Sequence, residues 1–95
     1  MEQKFDNKTK YILLDRIDIN NDKLKIKHLP IIVDKSCITG IQYSIKNTPE
    51  FSHYNEIKKI IGNKIIYYVY LKNEPLEFYF LSDKTLDELI NILED

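Results

Sequence analysis

The run Ile65-Ile66-Tyr67-Tyr68-Val69-Tyr70-Leu71 is apolar or aromatic at every position, with turn residues on both sides, Gly62-Asn63 before it and Lys72-Asn73-Glu74-Pro75 after it. Seven residues between such breaks suit a strand, and successive strand residues point to opposite faces. A strand that is apolar on both faces must be covered on both, so the run predicts a central strand with a helix on one side and a sheet or partner on the other. After the turn, Leu76, Phe78 and Phe80 alternate with Glu77 and Tyr79, and the two segments read as a hairpin.

The remaining elements must supply those covers. Residues 1–10 are polar and without period, which predicts a flexible N-terminal segment followed by one domain over 11–95. Tyr11, Leu13, Ile17 and Ile19 fall on alternate positions up to the turn residues Asn20-Asn21-Asp22. Lys23-Leu24-Lys25-Ile26-Lys27 then alternates strictly, with Leu24, Ile26 and His28 on one face and three lysines on the other. Pro30 cannot donate to a ladder, so it is expected to bend this strand or mark an edge before Ile31-Ile32-Val33. Ile41, Tyr43 and Ile45 make a further strand, with Gly40 signalling a bulge or a close backbone approach.

Thr48-Pro49-Glu50 has the form of a helix start, and Phe51, Tyr54, Ile57, Ile60 and Ile61 share a helical face, which predicts a helix over Pro49–Ile61 closed by Gly62. The poor helix formers Ser52, His53 and Asn55 keep open a rival strand over 56–61. Thr85-Leu86-Asp87-Glu88 matches a capping box ahead of Leu89, Ile90 and Leu93. The fold class expected is α+β: an antiparallel β-sheet of about five strands, order βββαββα, with a C-terminal amphipathic helix packed on the sheet.

A chain of 95 residues buries about 60 to 65% of its unfolded surface, which leaves little depth for an enclosed pocket. No apolar run reaches the roughly 20 residues that span a bilayer, and Met1 to Asp15 carries Lys4, Lys8 and Lys10 without an apolar signal region, so no membrane association is expected. The single cysteine, Cys37, favours a reducing compartment, and the cytoplasm is the expected location. Sixteen isoleucines, no alanine, and 13 lysines against one arginine indicate an AT-rich genome, phage or plasmid, and the isoleucines favour strands.

Catalytic patterns are absent. A nucleophilic site would need Cys37 activated in space by His28 or His53, whereas lone cysteines mostly serve as small buried hydrophobes. His28, on the strand face of Ile26, is expected to be partly buried and His53 exposed. Those three residues are the only soft metal donors and lack ligand spacing, and two glycines cannot build a phosphate loop, so neither metal nor cofactor is expected. The chain therefore reads as not an enzyme.

Binding features are more prominent. Residues 1–72 hold 13 basic and 8 acidic side chains, a net +5, and 73–95 hold 1 and 7, a net −6. Such asymmetry suits a charged partner if folding leaves the surface polarised. Tyr67, Tyr68 and Tyr70, with the acidic Asp83, Asp87 and Glu88 on or beside the last helix, are the candidate contacts with another protein, because tyrosine is enriched in interfaces and an acidic row can cover a basic groove. The expected function is a non-enzymatic protein-binding module of the inhibitor, immunity or phage-encoded counter-defence type, acting by occluding a partner. The alternative is nucleic-acid binding through the sheet face bearing Lys23, Lys25 and Lys27, against which stand one arginine and a pI near 6.1. A homodimer through an edge strand is compatible with either.

Pro30 to Tyr43, with its Ile-Val-Asp-Lys-Ser-Cys run and Gly40, and His53 to Leu89 faintly resemble parts of the bacterial competence transcription factor family. The closing hairpin and helix resemble pleckstrin-homology-type barrels. The chain is far shorter than the first family and lacks its basic character, and its helix and strand pattern departs from the second, so neither resemblance assigns a function.

Overall fold

Asn20 reverses the chain: its Oδ1 accepts the backbone N–H groups of Asp22 and Lys23 at 3.0 and 3.1 Å, an Asx turn that folds strand β1 (Tyr11–Asn20) back onto β2 (Lys25–His28) and β3 (Ile31–Asp34). In this computed structural model, which describes residues 10–72 and 77–94, both shorter strands pair antiparallel with β1 in one register. Ile17 faces His28 and Leu14 faces Ile31. Pro30 therefore interrupts one long arm rather than separating two, because Leu29 still donates to the Arg16 carbonyl at 2.7 Å and Pro30 falls at a position that exchanges no hydrogen bonds with β1.

The remaining elements are β4 (Ile38–Tyr43), α1 (Tyr54–Ile61), β5 (Ile65–Leu71), β6 (Glu77–Ser82) and α2 (Leu86–Glu94). The antiparallel sheet runs β2-β1-β6-β5-β4, with β3 also on β1. The α+β class, the antiparallel sheet and the terminal helix are as the sequence predicts, while four strands rather than the expected three precede α1, because Pro30 divides the arm opposite β1 into β2 and β3. The N-terminal segment 1–9, the turn 73–76 and Asp95 lie outside the described residues.

As its pattern requires, β5 is covered on both faces. On one, Tyr67 and Val69 pack with Leu14, Val33, Phe78 and Phe80 under Leu89 of α2. On the other, Ile66 packs with Ile17 and Leu81 under Ile57 and Ile61 of α1. Burial of these side chains contributes roughly 1.5–3 kcal/mol each and makes the sheet the centre of a three-layer molecule. The expected bulge lies between Ile38 and Gly40, where a Cβ on Gly40 would meet the Tyr70 ring at 3.4 Å.

Three local expectations are corrected. Leu24 is not a strand residue: it sits in the turn at φ 52°, so Lys23 also leaves the strand and only Lys25 and Lys27 share a strand face. The first helix begins at Tyr54 rather than Pro49. Thr48 does not cap it, because its hydroxyl donates backwards to the Ile45 carbonyl at 2.6 Å, and 49–53 form successive turns. The rival strand over 56–61 does not form, and Gly62, at φ 64°, closes the helix as expected.

The histidines exchange their expected environments. His28 is exposed, its Nδ1 at 3.0 Å from Asp15 Oδ1, while His53 is half-buried edge-on to the Phe51 ring.

Candidate protein-binding surface

Because α1 spans only eight residues, it covers one end of its sheet face, over Ile17, Ile66 and Leu81. The pairing places Tyr68 opposite Tyr79 and Gln42, and Tyr70 opposite Glu77 and Gly40, on that same face but beyond the helix. Tyr68, Tyr70 and Tyr79 are half-buried. Their rings touch in series, Tyr68 lying 4.8 Å from Tyr79 and 5.2 Å from Tyr70 between centroids. Packing ring against ring holds each phenol in place without further cover, so the row is both apolar and rigid.

Lys46 extends the row. Its side chain is buried, with Nζ 4.4 Å from the Phe51 ring centre and 5.4 Å from that of Tyr79. Desolvation holds this ammonium below its usual pKa, and the two aromatic faces supply the attraction that a carboxylate otherwise would. At the other end the Tyr68 hydroxyl donates to Glu77 Oε1 at 2.7 Å, which with burial pushes the phenol up to about 12. Phe51, Lys46, Tyr79, Tyr68 and Tyr70 thus form a continuous stripe. Beside it a groove of about 300 Å³ runs between Gln42, Tyr43, Ile45, Thr48 and the Tyr68 and Tyr79 rings, and its rim exposes Ile45 (68%) and Tyr43 (51%).

The loop carrying Lys46 is tied to the sheet by Asn47. Its amide nitrogen donates to the Ile66 carbonyl at 2.6 Å and its Oδ1 accepts the Ile66 N–H at 3.1 Å, imitating one more rung of β4.

The sequence-predicted contacts separate. Tyr67 is fully buried (0%) and its hydroxyl donates to the Lys84 carbonyl at 2.7 Å, so it is a core residue and cannot touch a partner; this corrects its place among the candidates. Burial, with Tyr43 and Glu88 nearby, raises its pKa. Tyr68 and Tyr70 do lie on an accessible face. Asp87 and Glu88 are exposed at the start of α2, on the opposite side of the sheet, Asp83 is exposed beside Lys64 and Leu81 just after β6, and none of the three is joined to the tyrosine stripe. Glu88 already has a structural role: it accepts the Thr85 N–H at 2.7 Å and donates its own N–H to the Thr85 hydroxyl at 3.2 Å, the reciprocal capping box, and the Thr85 bonds lower its pKa.

Lys25 and Lys27 project from the α2 side of the hairpin, but Asp18 lies directly opposite Lys27. The overall charge asymmetry is also partly cancelled, since Lys64, Lys84, Asp15 and Asp83 line one depression.

Cys37 packs against the apolar core, and among the described residues neither imidazole hydrogen-bonds its thiol. No group of three or more His, Cys, Asp or Glu side chains gathers as a metal site, and no helix is long and apolar enough to cross a membrane, among the described residues.

Sequence reasoning missed Tyr79, Lys46, Gln42 and Ile45. For Tyr79 the signal was present: it is out of phase with Phe78 and Phe80, and hence on the face of Tyr68 once the hairpin register is set. Lys46 gave no such signal, since Phe51 reaches it only through the turns before α1.

Comparison of the chain with protein-family models, with curated proteins and with solved structures finds no match.

Proposed function

We propose that this protein is a non-enzymatic protein-binding module that acts by covering a surface of a partner protein, in the manner of small inhibitor, immunity and counter-defence proteins. The observation that carries the reading is the contiguous stripe Tyr68, Tyr70 and Tyr79, extended by Lys46 and Phe51, on the part of the sheet that α1 leaves open. Rings already held by one another lose little freedom on contact, which is the property that makes tyrosine effective at interfaces. The exposed Ile45 at the groove rim adds apolar area. The single cysteine, Cys37, which can form no internal disulfide, supports a cytoplasmic setting.

The test is affinity capture from the source lysate with tagged protein, with and without nuclease, beside a variant carrying Tyr68→Ser, Tyr70→Ser and Tyr79→Ser. Recovery of one protein regardless of nuclease, lost in the variant, supports the reading. Recovery that depends on nucleic acid and persists in the variant overturns it in favour of the lysine-bearing hairpin, and a turnover activity abolished by Cys37→Ala would overturn the non-enzymatic part.

A further inference from the structure

Strand β1 is longer than its neighbour β6, and among the described residues the mismatch leaves a piece of sheet edge open. On its β6 side β1 pairs only over Asp15 to Ile17. Continuing that register would set Asp83 against Leu13, but the Ser82 hydroxyl accepts the Lys84 N–H at 3.1 Å and turns the chain away into α2. Leu13 faces Ile32 in the other direction, in a pair that exchanges no hydrogen bonds, since the bonded pairs on either side are those of Ile12 and Leu14. The Leu13 N–H and C=O therefore point towards the space that β6 vacates.

That space is a cleft of about 440 Å³, the size of small peptide and ligand sites. One wall is the β1 edge and the other is α2, with Ile12, Leu14, Phe80, Leu89 and Ile92 presenting apolar surface. Helix α2 does not fill it: of Leu86, Leu89, Ile90, Ile92 and Leu93 only Leu89 is fully buried. The charged side chains lining the cleft are Lys35, Lys84 and Asp15, and the Asp15 carboxylate is engaged by His28. A strand edge beside a helix, with an apolar floor and lysines at its margins, is the arrangement that accepts an extended segment by strand addition.

We propose that this cleft binds a short, extended, acidic-apolar peptide segment of a partner protein, which continues the line of β6 and hydrogen-bonds to the backbone of Leu13. Lys84 at the rim selects an acidic residue in the peptide, and the floor selects an apolar side chain at the position that points between Phe80 and Leu89. The site lies towards the α2 side of the sheet, away from the tyrosine stripe, so it is independent of the function proposed above and the triple tyrosine variant leaves it intact.

The experiment uses the full chain as bait for a phage-displayed library of random linear heptapeptides, followed by synthesis of the enriched peptides. Enriched sequences are expected to combine apolar with acidic residues. Methylating their backbone nitrogens one at a time is expected to weaken binding about tenfold at the nitrogens that face Leu13 and little at the alternate ones, as loss of a backbone hydrogen bond implies. Ile92→Trp, which fills the cleft from a half-buried helix position, is expected to abolish binding. Amide exchange followed by NMR gives a readout without substitution: the Leu13 N–H exchanges fast in the free chain and slows when peptide is added. No enrichment, or enriched peptides indifferent to N-methylation, overturns the proposal. A Leu13 amide already protected in the free chain also overturns it, by showing that residues 1–9 or a second copy hold the edge; protection that falls on dilution identifies the copy.

Discussion

The two faces of the sheet carry almost the same kinds of residue and put them to opposite uses. Under α2, Tyr67 and Phe80 stack at 5.4 Å and are sealed between Leu14, Val33, Val69 and Leu89. Across the same strands, Tyr68 and Tyr79 lie 4.8 Å apart but remain half-open, because α1 reaches only the isoleucine end of its face. Tyr67 and Tyr68 are adjacent, yet one hydroxyl is spent on the Lys84 carbonyl that anchors the start of α2 and the other on the Glu77 side chain at the surface. Residue type does not decide between core and contact surface here; helix length and helix placement do.

The largest expected difference between the faces is in stability. Tyr67→Ala removes a fully buried ring and should cost about 3–5 kcal/mol, whereas Tyr68→Ala should cost under about 1 kcal/mol, both measured by equilibrium urea unfolding. Equal losses would mean that the open face is as load-sharing as the closed one and would remove the basis for calling it a contact surface. Next in size is binding: Tyr68→Ala or Tyr79→Ala should weaken the complex with a captured partner by about 2 kcal/mol in calorimetry, with the melting temperature little changed.

A smaller effect concerns what holds the closed face shut. Thr85→Ala breaks the capping box and should destabilise by about 1 kcal/mol. Glu88 is held below its ordinary value of 4.5 by the Thr85 bonds, so its contribution is present above that pH and is lost as pH falls through the lowered value. Acid titration of helicity should therefore show a loss near the bottom of the carboxylate range that Glu88→Gln removes.

The smallest effect belongs to Lys46. Burial favours its neutral form in the folded chain, so stability should rise with pH between the lowered value and 10.5, the value of the unfolded residue. Lys46→Met should change stability by less than about 1 kcal/mol at neutral pH, and the parent should gain on the variant as pH approaches 10.5. A constant difference across that range would show the ammonium to be solvated rather than boxed between Phe51 and Tyr79.

The sheet was largely legible because alternation and punctuation are local. The Ile65–Leu71 run, the break at Pro30, the bulge at Gly40 and the Thr85–Glu88 box each act over a few residues and appear where the pattern puts them. The start of α1 was not legible, since Thr48 can bond forwards as a cap or backwards to Ile45, and only the tie between Asn47 and Ile66 selects the second. Leu24 was misplaced because strict alternation of Lys23 to Lys27 hides a four-residue turn that the Asn20 side chain directs. The candidate surface was half legible. Tyr68 and Tyr70 are where alternation places them, but which face stayed open depended on how far two helices extend over it.

Pro30 has a consequence beyond the bend it introduces. It occupies the outermost arm of the sheet, at a position whose backbone nitrogen faces solvent, so the missing hydrogen falls where another molecule's strand would have to accept it. Beside it the exposed Ile32 and Leu13 make this end of the arm the most adhesive stretch of an otherwise charged hairpin. A chain this rich in isoleucine is exposed to uncontrolled stacking of sheets, and a single imino acid at the rim withholds the template that such growth requires.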